Sequence, residues 1–279
     1  MEYVFDELPG LPSRYHATYR YCSSYFSKCY LGVDLESKTN IFIKHCSESK
    51  DFKREVTSIW KIFQSGPAEQ IVPIIEAIPA SRSGGYNYLV MPHYEGGNLW
   101  VLRRKKEGLS VEETYVITAQ VGEALKRAHA AGIIHNDIKS GNIMFASESM
   151  LTAKLIDFGL SFCGVTELDP DFMFGTPEYN PPEKLNGKGP VTKAVDIYSL
   201  GLMMHEMLTN SLLYCRKLPR KEGIPPHDRI PKEVLKVIRT ACEKDPANRY
   251  QNISEMMADL ENAVHSKDPS DNFLYILQK

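Results

Sequence analysis

Ile134-His135-Asn136-Asp137-Ile138-Lys139-Ser140-Gly141-Asn142 is the stretch on which the reading of this chain turns. Ile133 and Ile134 are apolar and lead into a polar knot, in which Asp137, Lys139 and Asn142 fall within positions 137–142. A plain turn has little use for an acid, a base and an amide packed so tightly. These residue types suit a site that takes a proton from a hydroxyl, steadies phosphate charge and binds a metal. Downstream, Leu155-Ile156-Asp157-Phe158-Gly159 is a strand-like run that ends in a carboxylate and a turn glycine.

The texture of the chain changes around these two stretches. Residues 1–14 carry Pro9, Gly10 and Pro12 and read as an irregular lead. From Tyr15 the chain alternates and is rich in Tyr, Phe, Val and Ile, the pattern of antiparallel strands. Ile41-Phe42-Ile43 is a short strand ending at Lys44. A helix is expected over about 50–63, with Phe52, Val56, Ile59, Ile62 and Phe63 on one face, stopped by Ser65-Gly66-Pro67. Two further strands are expected over 71–78 and 86–91, joined by a turn at Ser81-Arg82-Ser83-Gly84-Gly85.

From Pro92 onward Glu95-Gly96-Gly97-Asn98 reads as a flexible link, and the chain beyond it is mainly helical. Ser110 with Glu113 forms a capping box that opens a helix running to about Ala131. Gly132 is its left-handed stop. More helices are expected over 192–208, 231–243 and 253–264. The pattern predicts an α+β, two-lobed unit with a cleft: a small lobe over 15–91 with an antiparallel sheet and one helix, a hinge over 92–98, and a helical large lobe over 99–264. Residues 265–279 form a C-terminal tail.

Bulk composition narrows the function classes. The 279 residues are ample for a buried core, and 43% hydrophobic with 24% charged residues is ordinary for a globular protein. A net charge of −2 argues against an electrostatic grip on nucleic acid or anionic membrane. No apolar run approaches the roughly 20 residues of a membrane helix, and Glu2, Asp6 and Glu7 do not suit a signal peptide. Cys22, Cys29, Cys46, Cys163, Cys215 and Cys242 are dispersed. They read as reduced thiols, which implies a cytoplasmic location.

Taken together, the two opening stretches resemble the catalytic loop and the Asp-Phe-Gly metal-binding segment of protein kinases. Gly175-Thr176-Pro177-Glu178-Tyr179-Asn180-Pro181-Pro182-Glu183 looks like the end of a kinase activation segment, with Pro-Pro-Glu where Ala-Pro-Glu is usual. Asp196-Ile197-Tyr198-Ser199-Leu200-Gly201 is similar to the buried helix of the large lobe, whose Asp would bond the catalytic-loop backbone. Arg249 stands where an arginine pairs with the Glu183 position. The resemblance spans about 15–264 and rests on several motifs in the right order.

The resemblance implies an ATP-dependent protein serine/threonine kinase with Mg²⁺, or Mn²⁺ in its place, and a protein substrate; it implies no nucleic-acid or membrane partner. Asp137 would accept the hydrogen bond of the attacking hydroxyl, and Lys139 would steady the moving phosphoryl charge. Asn142 and Asp157 would hold the metal. Lys44 would contact the nucleotide phosphates and be held by Glu55. Cys22, Ser24, Ser27, Cys29, Phe42, Met91, His93 and Met144 would surround the nucleotide. His135 is expected to pack against Phe158 rather than to react.

This chain departs from the family pattern in three places. Cys22, Ser24 and Ser27 stand where the phosphate-covering loop should carry glycines, which allow close backbone approach to phosphate. Phe42 replaces a small residue beside the adenine. Asn136 replaces the arginine that reads a phosphorylated activation loop, so loop phosphorylation is not expected to be the on-switch; Thr166 and Ser161 are the phosphosites considered. The first two departures leave a pseudokinase as the alternative, a nucleotide-binding or scaffolding module with little turnover. Lys139 follows the Ser/Thr pattern, and Gly141 and Asn98 speak against basophilic substrates. Arg103-Arg104-Lys105-Lys106 and Arg216-Lys217 with Arg220-Lys221 read as solvated basic surface or as sites for acidic partners.

Overall fold

In a computed structural model of the chain, residues 8–23, 27–147, 151–164, 175–186, 190–213 and 223–265 are described. The alternating first third forms a five-stranded antiparallel sheet of order β1-β2-β3-β5-β4. Its strands are β1 (Tyr15–Ser23), β2 (Ser27–Asp34), β3 (Thr39–Cys46), β4 (Glu76–Ile78) and β5 (Asn87–Pro92). The strand period of two decides where β3 sends its side chains. Ile41 and Ile43 are fully buried with Tyr15, Tyr30, Ile78, Tyr88 and Val90 on one face. Phe42 and Lys44 are left for the other face. In register, Phe42 lies opposite Met91, and Lys44 is flanked by Cys29 and Leu89.

The strand expected over 71–78 shortens to Glu76–Ile78. Pro73 has no N–H to give a ladder, and the residues before it pair elsewhere. Leu155 N donates to the Gln70 carbonyl at 2.7 Å, and Val72 N donates to the Leu155 carbonyl at 3.1 Å. That exchange ties the sheet-bearing part to the strands beneath the cleft.

Helix α1 (Ser49–Gln64) lies close to its expected span. Its inner face buries Glu55, Ser58, Ile59 and Ile62. Ile59 and Ile62 join the same buried cluster as Phe158, Leu155 and Ile117 of the helical part. α1 therefore packs toward the cleft rather than only onto its own sheet.

Beyond residue 98 the chain is helical: α2 (Leu99–Lys105), α3 (Val111–Ala130), α4 (Pro182–Leu185), α5 (Ala194–Thr209), α6 (Lys232–Ala241) and α7 (Ile253–His265). The Ser110–Glu113 capping box is present, and Gly132 has φ 74° at the stop. α5 is buried from Ala194 through Leu208, and Asn210 ends it in the left-handed region. It starts two residues later than expected, and Thr192 Oγ1 accepts the N–H of its first residue, Ala194, at 3.3 Å. Two short two-stranded sheets accompany these helices. One pairs β6 (Ile133–Ile134) with β9 (Phe162–Cys163), the other β7 (Ile143–Phe145) with β8 (Ala153–Leu155). The whole is an α+β, bilobal architecture.

Candidate active site

The stretch from His135 to Asn142 leaves β6 and returns through a 3₁₀ turn at Ser140–Asn142 into β7. Asp196, fully buried on α5, fixes its start. The Asp196 carboxylate accepts from His135 N at 2.9 Å and Asn136 N at 2.8 Å, and lies 2.8 Å from His129 Nε2. Burial opposes charge on Asp196, but the His129 bond and the other donors outweigh it and hold the carboxyl below its usual range. His135 packs edge-on against Phe158 at 4.6 Å. Its Nδ1 accepts from Asp137 N at 3.3 Å, so Nε2 carries the proton toward the Ile156 carbonyl at 3.1 Å. Burial lowers its pKa. His135 is thus a neutral packing residue, as its sequence context suggests.

Asp137 is nearly buried and is met from three directions. Lys139 Nζ lies 2.6 Å from Oδ2, and Asn142 Nδ2 donates to the same oxygen at 3.0 Å. Thr176 donates to Oδ1 through both its N–H and its hydroxyl, each at 3.0 Å. Lys139 Nζ also reaches Thr176 Oγ1 at 2.8 Å. Asn142 Nδ2 donates again to the Asp137 carbonyl at 2.8 Å, which leaves its side-chain oxygen as an acceptor.

Lys44 Nζ stands 2.7 Å from Glu55 Oε2 and 2.7 Å from Asp157 Oδ1. It spans the cleft from β3 to the segment after β8, with α1 supplying the third group. Burial opposes its charge, but Asp157 and Glu55 outweigh that and raise the Lys44 pKa well above its ordinary value. Burial likewise lifts Glu55 despite Lys44. For Asp157 burial is overcome by the charge and hydrogen bond of Lys44, and its pKa falls to about 2. Asp157 has φ 67°, an uncommon conformation for a non-glycine residue, and its side chain is 39% exposed toward the cleft. Phe158 is fully buried.

Between the two parts lies a cavity of about 290 Å³. Cys29, Phe42, Lys44, Glu55, Met91, His93, Met144, Asn142 and Asp157, all expected from the sequence, line it. Asp137 is bonded to the lining residue Asn142, and Lys139 to Asp137. Ser24 lies outside the described residues, as do the side chains of Cys22 and Ser27. Tyr21, Val72, Tyr94, Asn98 and Ile156 also line the cavity and were not foreseen. Ile156 directly precedes Asp157, and alternation along its strand would have found it. Tyr94 lies two residues beyond the sheet. Tyr21 meets Phe42 in a T-shaped edge contact, 5.8 Å between centroids.

The lining separates into an apolar slot (Cys29, Val72, Met91, Met144, Ile156) and a polar end (Lys44, Asn142, Asp157). A flat apolar base with an anionic tail fits that division. Among the described residues no group of three or more His, Cys, Asp or Glu could hold a metal by itself. The Asp157 carboxylate and the Asn142 side-chain oxygen are two hard donors. That set suits a cation that completes its shell with water and phosphate oxygens.

The segment after Asp157 is held at both ends. Ser161 is fully buried, 2.7 Å from Ser58 Oγ and 2.6 Å from the Phe158 carbonyl, which removes it as an accessible phosphosite. Thr166 lies outside the described residues. At the far end Arg249 holds Glu183 in a two-pronged pair at 2.8 and 2.7 Å. Asn136, with φ 69°, donates its amide to the Leu160 carbonyl at 3.0 Å. The basic run 103–106 breaks up on folding. Arg103 is buried against Glu206 and Asn210, Arg104 lies over Trp100, and Lys106 pairs with Glu113. The second run, 216–221, lies outside the described residues.

Comparison with known proteins agrees with this geometry. The family model for the protein kinase domain matches residues 23–271. The chain is 33% identical over 233 residues to a probable serine/threonine-protein kinase of Clostridium perfringens, covering 78% of this chain and 32% of the relative. It is 30% identical over 228 residues to the serine/threonine-protein kinase PknB of Mycobacterium leprae, covering 77% and 34%. A probable serine/threonine-protein kinase of Clostridium acetobutylicum is also 30% identical over 228 residues, covering 77% and 33%. The chain spans about a third of the length of these curated relatives. Among the described residues no helix is long and apolar enough to cross a membrane. With the buried Asp196 behind its loop, the Lys44–Glu55–Asp157 triad in its cleft and a family model matching nearly its full length, the chain belongs to the protein kinase domain family.

Proposed function

We propose that the chain transfers the γ-phosphate of ATP to Ser or Thr hydroxyls of protein substrates. The observation that carries this reading is the Lys44 ammonium held between Glu55 and Asp157, each at 2.7 Å. Three charged groups from three elements meet where a nucleotide tail would lie. Residues 15–91 would form the small lobe, 92–98 the hinge and 99–264 the large lobe.

In this scheme Asp137 accepts the hydrogen bond of the attacking hydroxyl and orients it. Lys139 and Lys44 offset charge on the phosphoryl oxygens. Asn142 and Asp157 would hold Mg²⁺, or Mn²⁺ in its place, which when bound neutralises the phosphates. Cys29, Met91, His93 and Met144 would flank the base, with Phe42, Val72, Tyr94 and Ile156 around it. The Lys139–Thr176 contact and the names of the relatives support Ser/Thr rather than Tyr as acceptor.

The kinase would not depend on activation-loop phosphorylation. Asn136 brings no cation to the loop and spends its amide on Leu160. No disulfide joins the four described cysteines, Cys29, Cys46, Cys163 and Cys242, which supports a cytoplasmic setting.

The pseudokinase alternative rests on Phe42, whose ring lines the cavity. One experiment separates the two. Phosphate transfer from Mg-ATP to a generic protein substrate is followed beside nucleotide-induced thermal stabilisation, for wild type and Lys44→Met. Transfer that disappears in Lys44→Met supports the kinase. Stabilisation by nucleotide without transfer in wild type would replace it with the pseudokinase.

A further inference from the structure

Lys184 is a buried cation that the proposed reaction leaves unused. It lies on α4 directly after Glu183 and is 3% exposed. Its ammonium donates to the backbone carbonyl of Asn136 at 3.0 Å, the residue before Asp137. On its other side is Gly175. A Cβ at Gly175 would come within 2.8 Å of Lys184 Nζ, 3.2 Å of Asn180 Oδ1 and 3.3 Å of the Asn136 carbonyl. With φ 129° and no free space, that position requires glycine. The ammonium therefore fills the seam between the catalytic loop and the strip that carries Thr176.

Among the described residues no carboxylate lies within ion-pair distance of Lys184. Burying an ammonium without such a partner is costly. Burial pushes its pKa down to about 8, opposed by Asp137, Asp196 and Glu183 and reinforced by Lys139. A methionine of similar length would fill the same space without that cost. Thr176, next to Gly175, gives Asp137 its two Oδ1 bonds. Asn136 cannot bind a phosphate that would order the segment, and its side chain is turned to Leu160.

We infer that Lys184 is a positioning residue: its ammonium pins the Asn136 carbonyl against Gly175, which keeps Thr176 on Asp137 without a phosphorylated loop. The inference rests on the kinase reading for its effect on rate, while the contact itself can be tested without it.

The test compares the full chain with Lys184→Met, and with Lys184→Gln should the first variant fail to fold. Lys184→Met is expected to lower kcat about tenfold or more with the KM for ATP within about twofold. Its Tm should stay level or rise, because a buried charge with no carboxylate partner among the described residues has gone. Hydrogen exchange should quicken in peptides covering 135–139 and 175–180 and stay unchanged in α3 and α5. A kcat close to wild type, or a loss that tracks a falling Tm with exchange raised everywhere, would overturn the inference. If wild type transfers no phosphate, the kinase reading fails. The exchange pattern then still decides whether Lys184 holds the seam.

Discussion

Thr176 gives two hydrogen bonds to one oxygen of Asp137: its N–H and its hydroxyl each lie 3.0 Å from Oδ1. The hydroxyl also lies 2.8 Å from Lys139 Nζ. It joins the two charged groups of the loop. Thr176→Ala keeps the backbone bond and loses the hydroxyl. Its kcat should fall about ten- to a hundredfold with little change in KM for ATP. Thr176→Ser should recover most of the rate. An unchanged rate in Thr176→Ala would show that the backbone N–H alone orients Asp137.

Phe42 lines the cleft cavity proposed to take the nucleotide. It stands opposite Met91 in the sheet and meets Tyr21 edge-on. Phe42→Ala should lower the KM for ATP several-fold while costing about 1–3 kcal/mol of stability, since the ring is only partly buried. Steady-state kinetics at varied ATP checks this. A KM that rises would mean the ring supports the base instead of crowding it.

The Lys44–Asp157 pair gives a signed pH dependence. The carboxyl sits near 2 in the folded chain against an ordinary 3.8. Its stabilisation is therefore complete above about pH 4 and lost as the pH falls through about 2. The stability difference between wild type and Asp157→Asn should be flat from about pH 7 to 5 and shrink toward pH 2, by denaturant unfolding. A difference that grows on acidification would contradict the assignment.

Arg249 and Glu183 should behave as one structural unit. The Arg249 side chain is fully buried and that of Glu183 is 11% exposed. Arg249→Met strands the carboxylate and should cost about 3–5 kcal/mol. Adding Glu183→Gln should return part of that loss. Additive losses in the double variant would mean that the two residues do not depend on each other.

The lobes were legible because their hydrophobic periods differ. Period-two alternation through 15–46 and the capped, apolar stretches after residue 98 placed most elements within a few residues. The strand at Glu76–Ile78 was expected but begun too early, because Pro73 lies inside an otherwise strand-like run. The polar cluster of the cleft was legible because Asp137, Lys139, Asn142 and Asp157 are polar where local packing has no need for them. Tyr21, Val72 and Tyr94 were not legible. They enter the cavity through sheet register and chain direction, which no short motif encodes. Lys184 was hidden for a similar reason: nothing adjacent in sequence says that it reaches Asn136. The basic run at 103–106 misled in the opposite direction, since tertiary contacts with Glu206 and Asn210 draw Arg103 out of the surface.

Asp137 carries the central claim. The most direct measurement is single-turnover phosphate transfer from Mg-ATP to a Ser/Thr protein substrate by wild type and Asp137→Asn, with nucleotide binding followed in parallel. Loss of the carboxylate should lower transfer by about a hundredfold or more while Mg-ATP binding stays near wild type. Equal transfer by both proteins would contradict the assignment of Asp137 and the kinase mechanism built on it.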